Sequence, residues 1–141
     1  YEGEPSSYIA RNRGASLAKG NILAFVDSDV VVDSKWLMAG IDCLQTSEIA
    51  LSKIETLNSN NKILYLFDSI ILNPYRELKF KRDNSGFIGI FFCKKRVFNA
   101  IGGFDESLIS GGDTIFGLSA KNLGYRIREH GEISCSWLSQ H

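Results

Sequence analysis

The apolar positions of this 141-residue chain fall into short runs whose spacing switches between helical and extended. Ser6 and Ser7 can cap a helix that runs to about Lys19, with Gly20 as its stop. Ile22, Leu23, Ala24, Phe25 and Val26 then form an unbroken apolar run that ends in acids. Such continuity suits a strand covered on both faces, as in a parallel sheet. Ser34 can cap a second helix over residues 35–45, where Trp36, Leu37, Ile41 and Leu44 recur at helical spacing. Residues 49–57 read as a strand, 58–61 as a polar turn and 62–72 as helix in preference to strand, broken by Asn73-Pro74. A further apolar strand is expected over 87–93, then a short helix over 94–101 stopped by Gly102-Gly103. A helix over 113–123 stopped by Gly124 follows, with strands over 125–128 and 133–137. Strands alternating with helices predict an α/β sheet with crossover connections in one domain.

Composition narrows the function classes. The chain is 44% hydrophobic and 23% charged, ordinary for a globular protein, and long enough to bury a core. Lys+Arg and Asp+Glu both number 16, so bulk charge attracts neither nucleic acid nor an anionic membrane, and a polyanionic ligand must be held by a local site. The cysteines, Cys43, Cys93 and Cys135, are odd in number and lack metal-ligand spacing, which argues against a disulfide framework and for a reducing compartment. No apolar run approaches the roughly 20 residues of a membrane span, and no signal peptide is visible.

The sharpest chemical feature is Asp27-Ser28-Asp29 at the end of the apolar run. In an extended chain, side chains two apart project to one side. Two carboxylates so placed repel each other beside a dry core, and a divalent cation removes that cost. Carboxylate oxygens suit hard ions such as Mg²⁺ or Mn²⁺, which keep positions open for phosphate oxygens. The carboxyl ends of strands are also where open α/β sheets bind ligands. The plainer alternative is a pair of solvated turn carboxylates.

Ala10-Arg11-Asn12-Arg13-Gly14, then Ala18-Lys19-Gly20, the run ending in Asp27-Ser28-Asp29, and Trp36-Leu37 together resemble the core signature of family 2 glycosyltransferases. Residues 87–93, Gly102-Gly103-Phe104-Asp105-Glu106, Gly112-Asp113 and Leu123-Gly124-Tyr125-Arg126-Ile127 continue that resemblance in order over most of the chain. It implies a GT-A-like mixed sheet flanked by helices. It also implies transfer of a sugar from a nucleotide-diphosphate donor to the hydroxyl of a glycan, lipid-linked or other acceptor, with inversion at the anomeric carbon. Asp29 would be the main ligand of a divalent metal, Mn²⁺ or Mg²⁺, and Asp27 would assist it or contact the donor. Asp113 would be the general base. Arg11 would approach the donor phosphates or pair with Asp27 or Asp29, and the late His141 would complete the metal site.

The resemblance also carries departures and alternatives. Asp113 stands where a helix starts, so capping is an equally physical role for it. Gly112 stands where relatives often have Glu, and Ser119 where they often have Arg on the following helix, which puts the acceptor contacts and the orientation of Asp113 in question. The strands that precede the Arg-Asn-x-Gly helix in the family have no counterpart here, so the chain is expected to be a partial catalytic domain. On that expectation it binds donor poorly alone, exposes a sheet edge and self-associates through it. A cytoplasmic location, at most at the cytosolic face of a membrane, is expected. Arg13, Lys19 and His130 read as solvated, and Phe104, Trp36 and Trp137 as packing residues. A haloacid-dehalogenase-like phosphatase would use Asp27 as nucleophile, but Ile115, Phe116 and Gly117 leave no second acid after Asp113. A degenerate sugar- or partner-binding module is the non-enzymatic alternative.

Overall fold

A computed structural model describes residues 6–54 and 89–137, without the side chains of residues 53–54 and 130–137. The expected turn and helix over 58–72, the break at Asn73-Pro74 and His141 therefore lie outside the described residues. The strands are β1 (Ile22–Phe25), β2 (Val30–Val32), β3 (Ile49–Ile54), β4 (Phe91–Lys94) and β5 (Ile127–Trp137). The helices are α1 (Ser7–Leu17), α2 (Trp36–Cys43), α3 (Lys95–Ile101) and α4 (Gly112–Asn122).

The strands form one five-stranded mixed sheet in the order β1-β4-β3-β5-β2. β3 and β5 run parallel, and the β1–β4, β4–β3 and β5–β2 pairs are antiparallel. Side chains alternate across the sheet. Ile49, Leu51, Phe91 and Cys93 join one core with Tyr8, Phe98 and Phe116 from the helices and Phe104 from the loop after α3. Ala50 and Phe92 join the other with Trp36, Ala39, Cys43 and Leu44. In the first core, Phe25, Phe91, Phe98, Phe104 and Phe116 form a continuous aromatic cluster with ring centroids 4.7–6.1 Å apart. Pairs of this kind add about 0.5–1.5 kcal/mol beyond their burial. This cluster is the platform on which the polar residues described below stand.

Several sequence expectations are corrected. β1 is covered on one face only: Leu23 and Phe25 are buried while Ile22 and Ala24 are exposed. It pairs antiparallel with β4, and α2 packs instead over Phe92, with the Trp36 ring 4.2 Å from it. α1 ends at Leu17 because Ala18 turns extended, before Gly20 is reached. α2 is anchored by Asp33, whose carboxylate accepts the Lys35 N–H at 2.7 Å, and not by Ser34. Its buried stripe is Trp36, Ala39, Gly40 and Cys43, which leaves Leu37 exposed: the period was right and the phase was rotated. The two expected C-terminal strands are one, β5, with an irregularity where pairing jumps from His130 opposite Ser52 to Ser134 opposite Lys53. β2 was not anticipated, being three valines paired with the end of β5.

The start of α1 and of α3, the stop at Gly102 in a left-handed conformation, and the packing roles of Phe104 and Trp36 agree with the sequence reading. Cys43 and Cys93 are free and buried, and burial pushes the Cys93 thiol up to about 12, as expected for a packing residue. No helix among the described residues is long and apolar enough to cross a membrane.

Candidate active site

α1 carries the residues that assemble the site. Ser6 caps it, its hydroxyl accepting the Tyr8 N–H at 3.2 Å and donating to the Leu108 carbonyl at 3.1 Å. Tyr8 and Arg11 lie three apart and so share a helix face. Arg11 reaches from that face to two carboxylates that are far apart in sequence. Its Nη2 donates to Asp27, just beyond β1, and its Nη1 donates to Asp113 in the first turn of α4 at 2.9 Å. The guanidinium carbon stands 5.6 Å from the centroids of both the Tyr8 and Phe104 rings, an aromatic bed that favours the cation.

The approach of β4 to this cluster requires glycine. Gly89 has φ +51, and a Cβ there would stand 2.7 Å from both Arg11 Nη2 and Asp27 Oδ2. Tyr8 closes the other side: its hydroxyl accepts the Gly112 N–H at 2.9 Å, and a Cβ at Gly112 would stand 2.6 Å from the ring. Asn12, the next residue of α1, matches the backbone of Phe104 with both ends of its amide. Its Oδ1 accepts the Phe104 N–H at 2.9 Å and its Nδ2 donates to the Phe104 carbonyl at 2.8 Å and to Glu106 at 2.9 Å. One helix thus fixes the end of β1, the loop after α3 and the start of α4.

Asp113 does not cap α4. Gly111 occupies the cap, at φ 77, and Asp113 sits one residue into the helix, where its charge still meets the positive end of the dipole. Burial pushes its pKa above the usual aspartate value, and the nearby Asp27 carboxylate adds to that push. Arg11 and a hydrogen bond from the Gly89 backbone oppose it. The net shift is upward, so desolvation wins over the guanidinium. Asp29 is half-buried, and no described residue forms a hydrogen bond or ion pair with its carboxylate. The geometry therefore separates the acids: Asp27 and Asp113 share Arg11, while the Asp29 carboxylate is bonded by no described residue. No group of three or more His, Cys, Asp or Glu side chains that could hold a metal forms among the described residues.

Of the residues singled out from sequence, Arg11, Asp27 and Asp113 come together, and Asp29 lies two positions along the turn that begins at Asp27. His141 lies outside the described residues. Sequence reasoning missed the roles of Tyr8, Asn12 and Gly89. The signal for Tyr8 was its shared helical face with Arg11, and for Gly89 a glycine inside an apolar strand run, which marks a close backbone approach.

The sequence profile of Glycosyl transferase family 2 matches residues 7–101, more than half of the chain. Glycosyltransferase AglE of Haloferax volcanii is 29% identical over 136 residues, which cover 94% of this chain and 44% of that protein. Among solved structures, S. aureus TarS 1–349 aligns with a TM-score of 0.69 at 20% identity, covering 95% of this chain and 40% of that one. The mannosyltransferase PcManGT from Pyrobaculum calidifontis, in complex with GDP-Man and Mn²⁺, aligns with a TM-score of 0.71 at 15% identity, covering 99% and 38%. The chain thus spans less than half the length of these relatives and shares the GT-A fold with them. With that fold, and with the profile running from α1 through the Asp27-Ser28-Asp29 turn to α3, the chain belongs to glycosyltransferase family 2.

Proposed function

We propose that this chain forms the diphosphate-binding and acceptor-activating part of a glycosyltransferase. That enzyme moves a sugar from a nucleotide-diphosphate donor to the hydroxyl of a glycan or lipid-linked acceptor, with inversion at the anomeric carbon. The observation that carries the reading is the Arg11 fork, which sets the end of β1 and the start of α4 against each other. It brings together Asp27 and Asp113, which on this reading serve the donor and the acceptor. TarS has been solved with UDP-GlcNAc and PcManGT with GDP-Man and Mn²⁺, which supports a nucleotide-sugar donor and a divalent ion here.

Asp29 fits such an ion. Its carboxylate has no described protein partner, and a hard cation held by one or two carboxylates takes its remaining ligands from phosphate oxygens and water. Asp27 would assist through the oxygen that Arg11 does not take. The bound ion would supply neutralisation of the charge that develops on the leaving diphosphate. On this reading Asp113 accepts the acceptor hydroxyl proton. Its burial raises its proton affinity, which strengthens it as a base, while Arg11 and the Gly89 N–H oppose that shift and hold the carboxylate in place. Arg11 acts as a positioning residue, since two of its nitrogens are committed to carboxylates.

The test is Asp113→Asn in the enzyme, assayed with a panel of nucleotide-diphosphate sugars and Mn²⁺. Loss of the base should lower kcat by about 100-fold or more, with donor affinity unchanged. Full activity in that variant would remove the base and return the domain to a binding role.

A further inference from the structure

Tyr8 has a hydroxyl that its place in the core does not require. Its ring is buried in the first core, 5.5 Å from the Phe104 ring, and a phenylalanine would fill the same space. A buried hydroxyl costs free energy unless it is hydrogen-bonded. Here it accepts the Gly112 N–H at 2.9 Å, from a residue 104 positions away. That N–H is one of the first in α4, and the first donors of a helix have no partner within it. Gly111 occupies the cap position and has no side chain to offer one. The Tyr8 hydroxyl therefore serves, from a different helix, in place of a capping side chain.

This bond falls one residue before Asp113. α1 thus holds the start of α4 at two adjacent residues from one of its faces: Tyr8 takes the Gly112 backbone, and Arg11 takes the Asp113 carboxylate at 2.9 Å. The two contacts differ in kind. Arg11 is long, bonds one oxygen of Asp113 and is shared with Asp27. Tyr8 has two rotatable side-chain bonds and a packed ring, so it fixes the backbone rather than following it. The fit is close on the ring side too. A Cβ at Gly112 would stand 2.6 Å from the ring carbon that bears the hydroxyl. Gly112 is helical and has no positive φ, so its backbone does not demand glycine; the Tyr8 ring does. Upstream, the Ser6 hydroxyl donates to the Leu108 carbonyl at 3.1 Å, which ties the approach to α4 to the same helix.

We infer that Tyr8 is a positioning residue for the transfer reaction: through the Gly112 backbone, its hydroxyl sets where the Asp113 carboxylate stands. The inference rests on the reading of Asp113 as the base. A base acts only within hydrogen-bond reach of the proton it takes, and a displacement of about 1 Å can cost about 100-fold in rate. The test is Tyr8→Phe in the enzyme, alone and combined with Asp113→Asn, with kcat and donor KM measured on the same panel of nucleotide-diphosphate sugars with Mn²⁺. Tyr8→Phe keeps the ring and loses the hydroxyl. It should lower kcat about tenfold and leave the donor KM unchanged. In the Asp113→Asn background it should cost nothing further, because no base remains to be misplaced. Gly112→Ala reaches the same contact from the other side. Alanine is the better helix former, yet this variant should also lose about tenfold in kcat, because its Cβ meets the ring. Circular dichroism at the assay temperature checks that each variant is folded. A kcat equal to the parent's in Tyr8→Phe would overturn the inference. So would an equal further loss in the Asp113→Asn background, which would mark the hydroxyl as a general support of the fold. Either result leaves Asp113 as the base. Full activity in Asp113→Asn alone would instead remove the base, and the inference with it.

Discussion

At the scale of single residues, the site rests on one cation serving two acids. A guanidinium can present separate nitrogens to two carboxylates, and an ammonium cannot do so in fixed geometry. Arg11→Lys should therefore release either Asp27 or Asp113. Because the pair is partly exposed, the cost in stability should be about 1–2 kcal/mol, read by urea denaturation. A stability equal to the parent's would show that the fork carries no load. Asp113 has a distinct signature. Burial raises its folded pKa, so its contribution to stability is full below the unfolded value near 3.8 and is lost as pH rises through the higher folded value. Asp113→Asn removes that loss. The variant should be at least as stable as the parent at neutral pH, with a flatter slope just above 3.8. A steep unchanged slope would place the titrating group elsewhere.

At the scale of elements, α1 is the organiser, and its hold on the loop after α3 runs through Asn12. Asn12→Ala leaves the Phe104 N–H and carbonyl without their amide partner, which should cost about 1–3 kcal/mol. Asn12→Asp keeps an acceptor for the N–H but offers nothing to the carbonyl, so it should recover only part. Equal stability in all three proteins would contradict the clamp. Glu48 plays the corresponding part at the other end, joining β3 to Lys94 and Arg126. Its pKa is lowered, first by the hydrogen bond from Arg126, so its contribution is present above the usual 4.5 and is lost as pH falls through the folded value. Glu48→Gln should be less stable than the parent at neutral pH and should converge with it in acid.

What the sequence disclosed divides along the same lines. Helix and strand existence was legible wherever a cap, a glycine stop or an apolar run marked it, as at Ser6, Gly102 and residues 91–94. Phase was not, because α2 turns on small residues, Ala39 and Gly40, that allow close packing on Phe92 and give no hydrophobic signal. The Asp27-Ser28-Asp29 turn and Asp113 were legible as chemistry, but their connection through Arg11 spans 102 residues and no local pattern could state it.

At the scale of the whole molecule, the described sheet has the Arg11, Asp27 and Asp113 cluster at one end and the Glu48 ion-pair group at the other. α1 carries the chain from Arg11 away from that cluster to Leu17, about 9 Å along a helical rise of 1.5 Å per residue. The phenylalanine cluster between the ends makes this separation rigid. Phe116→Ala should cost about 3–5 kcal/mol and weaken the site indirectly, since Phe116 packs 5.0 Å from Phe104 beneath Arg11.

The most direct test of the account is calorimetric titration of a nucleotide-diphosphate sugar into the enzyme and its Asp29→Ala variant, with and without Mn²⁺. The account predicts that Mn²⁺ strengthens donor binding in the parent and that the variant loses both that gain and at least tenfold in affinity. Equal Mn²⁺-dependent binding by the two proteins would contradict it.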